Sequence, residues 1–300
     1  MSFQPRISRR LLALVSLLLI AFLAYSTNLS ELAASFSHAK IEFIVGALAA
    51  SVFSLVFKTL RWFALLREKG SVDLLQLFAI QSSGLAVSNL SPGKLLEPVK
   101  VLPLKNWGFS YSFLITSVFW ERAFDLMILF FLAFWSLAFL DSHATALFAI
   151  LSACLLVAIA VMFRNSGKLF KLLSRLPPLK FFEKAEAHQF KKRNLAAALF
   201  LTSFSWMSDF TAFYLCFQAL GISLEFTRIA SGLSAAVIAG IISFLPGGFG
   251  SLEAILTLLL AQAPYSSAQI LAGVFLGRAA TIVFTTLLGF ALLPLVKKGE

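Results

Sequence analysis

Charged residues are scarce in this 300-residue chain, at 13% of the sequence, and cysteine and histidine are scarcer still, with two and three residues. Cys154 and Cys216 lie in apolar runs, which predicts small hydrophobic side chains rather than a disulfide or a metal pair. The three isolated histidines form no metal constellation. Because the longest polar segment is only 164–194, the chain has no room for a large soluble domain.

Recognisable enzyme motifs are also missing. The chain has no Gly-x-Ser-x-Gly, no His-Glu-x-x-His and no Walker loop, and no histidine lies near the residues singled out below. We therefore expect neither an enzyme nor a bound cofactor. One alternative stays open at this point, which is an intramembrane acid–base enzyme that uses Glu253 or Asp209.

Apolar residues are abundant, at 59% of the chain against about 45–50% in soluble domains, and the mean hydropathy is +0.89. Several uncharged runs approach the ~18 residues that suggest a membrane span. The sequence therefore predicts an all-α polytopic membrane protein. We expect six full transmembrane helices at about 11–25, 41–66, 109–140, 144–163, 195–220 and 268–296, plus two re-entrant hairpins.

The net charge is +11, from 25 Lys and Arg against 14 Asp and Glu. In a soluble protein this balance suggests nucleic acid, but here the basic residues cluster at both ends and in loops, most densely in 164–194. That pattern fits the positive-inside rule and attraction to anionic lipid headgroups. We expect no nucleic-acid partner, a location in the cell (plasma or inner) membrane, and cytoplasmic termini. The same rule assigns the end of span 41–66 to the cytoplasm through Lys58, Arg61, Arg67 and Lys69.

Two apolar stretches are interrupted by helix breakers. The first breaks at Pro92 and Gly93, and the second breaks at Pro246, Gly247, Gly248 and Gly250. Proline removes a backbone donor and glycine loosens a helix, so a plain span tolerates neither well. Irregular backbone at membrane depth is tolerated where it is buried in protein or lines a wet cavity. The two breaks therefore predict re-entrant helical hairpins at a functional site.

The two broken regions are related by a constant offset. Glu97 precedes Arg122 by the same spacing that separates Glu253 from Arg278, and both members are displaced by 156 positions between the halves. Because three full spans separate the hairpins, the halves are predicted to be inverted. We expect a single domain, 1–300, with halves at about 8–140 and 144–297 joined by the basic loop 164–194. Matching broken segments in inverted halves indicate a transporter site near the midplane.

Ionisable residues inside the predicted membrane region are the candidate site. Such residues are costly in lipid and usually face an interior and a partner. We expect Arg122 and Arg278 to face the hairpins. Two roles stay open, which are structural Arg–carboxylate pairs that hold the hairpins, and a phosphate site that uses the arginines, a lysine and free backbone amides. The candidate set is Lys94, Glu97, Lys100, Glu121, Arg122, Asp125, Asp209, Glu253 and Arg278.

These motifs resemble a known family. Pro92-Gly93-x3-Glu97-x2-Lys100, Glu121-Arg122-x2-Asp125 and Leu245-Pro246-Gly247-Gly248-x-Gly250-x2-Glu253 are similar to the transmembrane region of lysylphosphatidylglycerol synthase, a flippase-like membrane family. In larger members this region precedes an aminoacyl-transferase domain and moves the modified lipid, so the resemblance implies translocation without synthesis. The first motif departs from the family pattern, in which Gly-Glu and a following Arg are more usual.

Three functions compete on this evidence. The first is a flippase for a phosphate-bearing lipid, either a phospholipid or a polyprenyl-phosphate-linked sugar. The second is a transporter or channel for a small anion. The third is a non-catalytic membrane partner of a lipid-modifying enzyme. Expected partners are anionic or phosphate-bearing membrane lipids, a lipid-modifying enzyme or a second copy of the chain.

Overall fold

A computed structural model describes residues 34–37, 39–91, 94, 96–137, 188–261 and 263–296. The predicted spans 11–25 and 144–163, the breakers Pro92 and Gly93, Cys154 and most of the basic loop lie outside these residues. The described part is built from helices and their connecting turns, as the apolar composition predicts.

The α-helices of the described part are numbered here in chain order from Ile41. A 3-10 turn (Glu97–Val101) leads into α3, a π-helical segment (Ala279–Val283) joins α8 to α9, and a 3-10 turn (Leu293–Leu295) follows α9. The helices are α1 (Ile41–Leu66), α2 (Leu74–Asn89), α3 (Leu102–Lys105), α4 (Tyr111–Leu137), α5 (Lys192–Ala219), α6 (Phe226–Ile242), α7 (Ser251–Leu260), α8 (Ser267–Arg278) and α9 (Phe284–Leu292).

Among the described residues, two helical stretches are long and apolar enough to cross a membrane by length and composition, namely Ile41–Leu66 and Ser267–Leu295. Helix α4 has 27 residues and α5 has 28, but charged side chains interrupt their apolar faces. Helices α2, α6 and α7 have 16, 17 and 10 residues. At about 1.5 Å per residue these three are shorter than a hydrocarbon core of about 30 Å.

Helix α1 packs along α5, and this is the most extensive contact between two helices in the described residues. Small side chains make it close: Ala47, Ala50, Ala212, Cys216 and Ala280 form one buried cluster. Small residues let helix backbones approach in a membrane, where dispersion contacts replace the hydrophobic effect between helices. Cys216 is a free, buried thiol, in keeping with its predicted role as a small hydrophobe.

The short helices pack reciprocally across the molecule. Helix α2 packs against α9, and α6 packs against α4 and α7. Each short helix that precedes a break therefore lies against a helix that follows the other break in the chain. This reciprocal packing brings the two broken regions next to each other.

The contact between α2 and α9 depends on Gly289. A Cβ at this position would lie 2.3 Å from the Ser82 carbonyl oxygen and 2.8 Å from Ala86 Cβ, which neither backbone can accommodate. Ser83 Oγ donates to the Gly289 carbonyl at 2.9 Å, and Asn89 Nδ2 donates to Thr286 Oγ1 at 3.0 Å. The absence of a side chain at Gly289 therefore sets the separation of these helices.

Replacing Gly289 with valine is expected to destabilise the protein by about 1–3 kcal/mol, the usual cost of overpacking. The effect is measured as a lowered thermal midpoint in detergent. Gly46→Ala on α1 is the matched control, because its Cβ meets only the flexible end of Leu215, at 3.2 Å. Equal midpoints for Gly289→Val and the wild type would contradict this packing.

The chain leaves the helix between Ile242 and Ser251, over the second Pro-Gly stretch. Gly247, Gly248 and Gly250 have φ values of 59°, 68° and 86°, in the left-handed region that glycine tolerates. A Cβ on Gly247 would approach the Asn89 carbonyl oxygen to 2.9 Å. The glycines thus both turn the chain and let it reach the end of α2.

Candidate functional site

Arg122 on α4 connects the first broken region to the long helix that follows it. Its Nη2 lies 3.0 Å from Glu97 Oε1 and also pairs with Asp125 Oδ2 one turn further along α4. Glu97 opens the 3-10 turn after the break and is buried. The side chain of Arg122 is 34% exposed, so part of the guanidinium is open. Arg122 contacts the carboxylate that follows the first break, as the sequence predicted.

Arg61 on α1 lies behind Arg122 and is completely buried. Its Nε donates to Glu121 Oε1 at 3.0 Å, and its Nη1 donates to Asp125 Oδ1 at 2.7 Å. Charge-assisted hydrogen bonds of this kind are about twice as strong as neutral ones. Arg61 therefore ties α1 to two successive turns of α4.

Lys100 completes this first network. Its Nζ donates to Glu121, to Glu97 at 3.3 Å and to Gln81 on α2 at 3.0 Å, and it lies 4.4 Å from the Trp62 ring centroid. Each of the three N–H donors of the ammonium group thus has its own acceptor. Lys100 is engaged inside the protein and holds the segment after the first break against α2 and α4.

Arg278 and Glu253 form the equivalent pair in the second broken region. Arg278 Nε donates to Glu253 Oε1 at 2.8 Å, and Nη2 donates to the Gly247 carbonyl oxygen at 2.7 Å. Glu253 Oε2 accepts from the Gly250 backbone N–H at 2.7 Å, at the first turn of α7. The guanidinium carbon lies 4.5 Å from the Phe249 ring centroid. The end of α8 is therefore fastened to the turn between α6 and α7.

Lys58 and Asp209 form a third pair between α1 and α5, at 2.8 Å from Nζ to Oδ2. Both side chains are 15% exposed. Trp206, one turn before Asp209, donates from Nε1 to Asp125 at 2.9 Å, which links this pair to the first network. The three groups of charges are thus neighbours around one space.

That space is a cavity of about 90 Å³, larger than a single water requires. Residues next to both breaks and residues of the long helices α1, α4 and α5 line it, so it lies between the two broken regions. Four cations and two carboxylates line it: Lys58, Lys94, Arg122 and Arg278 with Asp125 and Asp209. Cations outnumber carboxylates on this wall, which makes the cavity suited to an anion.

The structure divides the predicted site residues into two groups. Lys94, Arg122, Asp125, Asp209 and Arg278 line the cavity together with Gly247 and Gly248. The remaining described members of the set lie behind the wall and hold it through ion pairs and turns: Glu97, Lys100, Glu121, Glu253, Pro246 and Gly250. Within the described residues, no group of three His, Cys, Asp or Glu side chains is placed to hold a metal ion.

Several polar atoms on this wall are buried without a hydrogen-bond partner in the described part of the chain. They are Ser54 Oγ, Asn89 Oδ1 and Arg122 Nε. Buried polar groups are usually satisfied by protein, water or ligand. Three such atoms belong to residues around one cavity, so contacts with the described residues do not satisfy every polar group of its wall.

Lys58 and Arg61 belong to these ion-pair networks, and the sequence reasoning missed both. Their interpretation as charges at the end of the span is wrong, because both side chains form interior ion pairs with α4 and α5. Arg67 is exposed at the end of α1, and the side of the membrane on which this helix ends stays a prediction. A signal was present, since Lys58 and Arg61 lie three apart on one helical face within an apolar run.

Comparison with known proteins identifies the family. Residues 11–289 match the family described as the lysylphosphatidylglycerol synthase TM region. The chain is also similar to the UPF0104 membrane protein PH1989 of Pyrococcus horikoshii, with 26% identity over 318 aligned positions that cover 93% of this chain and 94% of that protein. The match and the apolar helices establish a membrane protein of a lipid-related family that contacts membrane lipids. The chain belongs to the lysylphosphatidylglycerol synthase transmembrane-region family.

Proposed function

We propose that this protein is a transport protein that moves a phosphate-bearing lipid across the membrane and catalyses no covalent step. The lipid is a phospholipid or a polyprenyl-phosphate-linked sugar, and its headgroup occupies the cavity between the two broken regions. The observation that carries the proposal is the cationic wall, in which Lys58, Lys94, Arg122 and Arg278 surround one space.

The guanidinium groups suit a phosphate for geometric reasons. Arg278 is held on three sides by Glu253, Gly247 and Phe249, so its orientation is fixed before a ligand arrives. Arg122 uses Nη2 for both carboxylates, and its side chain is 34% exposed, so part of its guanidinium is open to the cavity. A planar guanidinium with free donors binds phosphate oxygens well. The carboxylates behind the wall hold these cations and leave open donors for the ligand.

Two inverted halves explain why the cavity lies between the breaks. Helix α4 begins at Tyr111 and the α8–α9 stretch begins at Ser267, which is the same 156-position offset that relates Glu97 to Glu253. The reciprocal packing of α2 on α9 and of α6 on α4 fits such a relation. We infer a 1–300 domain with six full spans and two re-entrant hairpins, the arrangement of transporters with a site at the repeat interface.

The acyl or prenyl tails stay in the bilayer while the headgroup crosses. Large apolar side chains near the second break are open to the outside, among them Ile242 at 68% exposure and Phe244 at 48%. They follow directly on Ile241, which lines the cavity. A lateral opening at this position lets tails remain in lipid as the polar group enters. Without an ATP-binding motif, transport runs downhill or uses an ion gradient.

Reconstituted vesicles test the proposal. Purified protein is expected to move a short-chain fluorescent phospholipid from the inner to the outer leaflet, measured by reduction of the exposed fluorophore with dithionite. Arg122→Gln should slow this movement about tenfold or more, because it removes one charge-assisted hydrogen bond to the headgroup. Arg193→Gln is the control, because this arginine is exposed at the start of α5 and does not line the cavity.

Three results would contradict lipid transport. Vesicles that take up inorganic phosphate but move no lipid would point to a small-anion transporter. Vesicles that do neither would favour a membrane partner of a lipid-modifying enzyme. Turnover of a lipid into a new product by the purified protein would identify an enzyme.

The proposed topology puts both termini and the basic loop on the cytoplasmic side of the cell membrane. Single cysteines at positions 180 and 297 are therefore expected to react with an impermeant thiol reagent only after the cytoplasmic face is opened. A cysteine at position 265, in the uncharged connector between α7 and α8, should react from outside in intact cells. Opposite accessibility of positions 180 and 297 would overturn this orientation.

A further inference from the structure

Lys94 differs from the other cations of the cavity wall. In the described residues, each of Lys58, Arg122 and Arg278 has a carboxylate oxygen within 4.0 Å. Lys94 lines the same cavity and forms no ion pair with the described part of the chain. It is therefore a cation whose charge the described protein does not neutralise.

The ion-pair networks at and behind the cavity wall contain equal numbers of cations and carboxylates. Lys58 pairs with Asp209, and Arg278 pairs with Glu253. The remaining three cations and three carboxylates form one connected network: Arg61, Lys100 and Arg122 with Glu97, Glu121 and Asp125. Each network is thus neutral at full ionisation, and the single positive charge of Lys94 remains.

The backbone holds Lys94 in an unusual conformation. Its φ is 58°, in the left-handed region that non-glycine residues rarely adopt. The Lys94 N–H donates to the Ser91 carbonyl at 3.2 Å, and the Lys94 carbonyl accepts from Ser88 Oγ at 3.3 Å. Unfavourable backbone conformations persist where the surroundings enforce them, often at ligand sites. These contacts fix the point from which the lysine side chain reaches the cavity.

The electrostatic surroundings of Lys94 favour an anion. It shares the cavity wall with three charges of its own sign, on Arg122, Lys58 and Arg278. The two carboxylates on this wall are paired with other cations, Asp209 with Lys58 and Asp125 with Arg61 and Arg122. Lys94 is half-buried, and a partly buried cation held among other cations is unfavourable unless an opposite charge enters. An anion in the cavity relieves this repulsion and meets Lys94, Arg122 and Arg278 together.

We propose that Lys94 sets the charge of the transported headgroup, so that the site selects lipids whose headgroup carries one net negative charge on a phosphodiester. The inference rests on the proposed function and names its substrate class. One negative charge neutralises Lys94 and leaves every network balanced. A phosphomonoester has a second ionisable proton, so at pH 7.5 it brings more than one negative charge on average and leaves an excess buried charge. A zwitterionic headgroup leaves Lys94 unneutralised.

Three short-chain fluorescent lipids test this selection at pH 7.5. Phosphatidylglycerol carries one negative charge, phosphatidic acid is a phosphomonoester, and phosphatidylcholine is zwitterionic. The wild-type protein is expected to move phosphatidylglycerol about tenfold or more faster than the other two lipids, since each charge-assisted contact is worth about that factor. Equal rates for all three, or faster movement of phosphatidic acid, would overturn the inference.

Variants of Lys94 supply the matching test. Lys94→Gln should lose about tenfold or more of the phosphatidylglycerol rate and most of its preference over phosphatidylcholine, whereas Lys94→Arg should keep the preference. Lys105→Gln is the control, because Lys105 is exposed beside Tyr111 and lies outside the cavity wall. Unchanged rate and preference in Lys94→Gln would remove the assigned role.

A binding measurement separates this inference from transport itself. Thermal stabilisation of the detergent-solubilised protein by short-chain phosphatidylglycerol is expected to exceed that by phosphatidic acid or inorganic phosphate, and Lys94→Gln should abolish the difference. If the wild type binds with this selectivity but moves no lipid, the transport proposal fails and the site assignment stands. If it moves lipids without discriminating their charge, transport stands and the role of Lys94 fails. If Lys94→Gln does not fold, the wild-type selectivity alone decides.

Discussion

Arg61→Ala is expected to lower the free energy of unfolding by about 3–5 kcal/mol, because it leaves two buried carboxylates without their cation. Glu121 and Asp125 accept from the completely buried Arg61 at 3.0 and 2.7 Å. Lys100 and Arg122 retain one contact each to these carboxylates, but neither replaces the hydrogen bond that each carboxylate loses with Arg61. The loss is measured as a lowered thermal midpoint, or as absence of folded protein after extraction.

Arg67→Ala provides the matched control, since it removes the same side chain from the exposed end of the same helix. Its midpoint should stay near that of the wild type. A double variant, Arg61→Met with Glu121→Gln, removes one charge of each sign and leaves Lys100 and Arg122 balanced by Glu97 and Asp125, so it should recover part of the stability. If Arg61→Ala were as stable as Arg67→Ala, the interior network described here would be wrong.

Arg278→Ala is expected to have the second largest effect, on both stability and transport. The variant leaves Glu253 buried with only the Gly250 N–H and removes the donor to the Gly247 carbonyl. We expect a stability loss of about 3–5 kcal/mol and no lipid movement, because the second break loses its anchor and the cavity loses a cation. Thermal denaturation and the vesicle assay measure the two effects.

Glu253→Gln separates charge from shape at this pair. Both oxygens of Glu253 accept hydrogen bonds, from Gly250 and from Arg278, whereas an amide offers one acceptor. The variant should therefore fold with reduced stability and impaired transport, less severely than Arg278→Ala. The double variant Glu253→Gln with Arg278→Gln should be more stable than Arg278→Ala alone. Normal transport by Glu253→Gln would refute the role of this pair in the site.

The broken regions and their partners could be predicted because their signals are local. Helix breakers inside apolar runs mark where helices end, and the second break falls between Ile242 and Ser251. The spacing from Glu253 to Arg278 predicts a contact, since two buried opposite charges must find a partner. The observed pair at 2.8 Å follows from that requirement.

The contributions of Lys58 and Arg61 could not be predicted from the same rules. A cation within two turns of a helix end is compatible with a loop, a headgroup contact or an interior pair, because long side chains can reach the interface. The rotation of α1 about its axis relative to α4 and α5 decides which of these environments the side chain enters. The sequence offset that relates Glu97 to Glu253 does not constrain this rotation. The partner of Lys58 is 151 residues away, on α5.

The contacts around the two broken regions differ in chemistry. Helix α1 meets α4 through the charged side chains of Arg61 and Glu121. Helix α5 meets α8 through an aromatic ring, since a Cβ added to Gly277 would lie 2.5 Å from the Phe213 side chain. One contact is polar and the other is steric. The pairs of Glu97 with Arg122 and of Glu253 with Arg278 keep the same chemistry in both halves.

The central claim, that the headgroup passes through the cavity, is tested most directly at Ser54. This serine lines the cavity, and its Oγ has no partner among the described residues. In a protein whose Cys154 and Cys216 are replaced by alanine, we introduce Ser54→Cys or, as a control in the exposed connector between α5 and α6, Ser223→Cys. Each protein is treated with a negatively charged methanethiosulfonate, and labelling is verified by intact mass. We expect labelled Ser54→Cys to lose lipid movement and labelled Ser223→Cys to keep it. Fully labelled Ser54→Cys that moves lipid at its unlabelled rate, or an introduced thiol at position 54 that never reacts, would contradict the account.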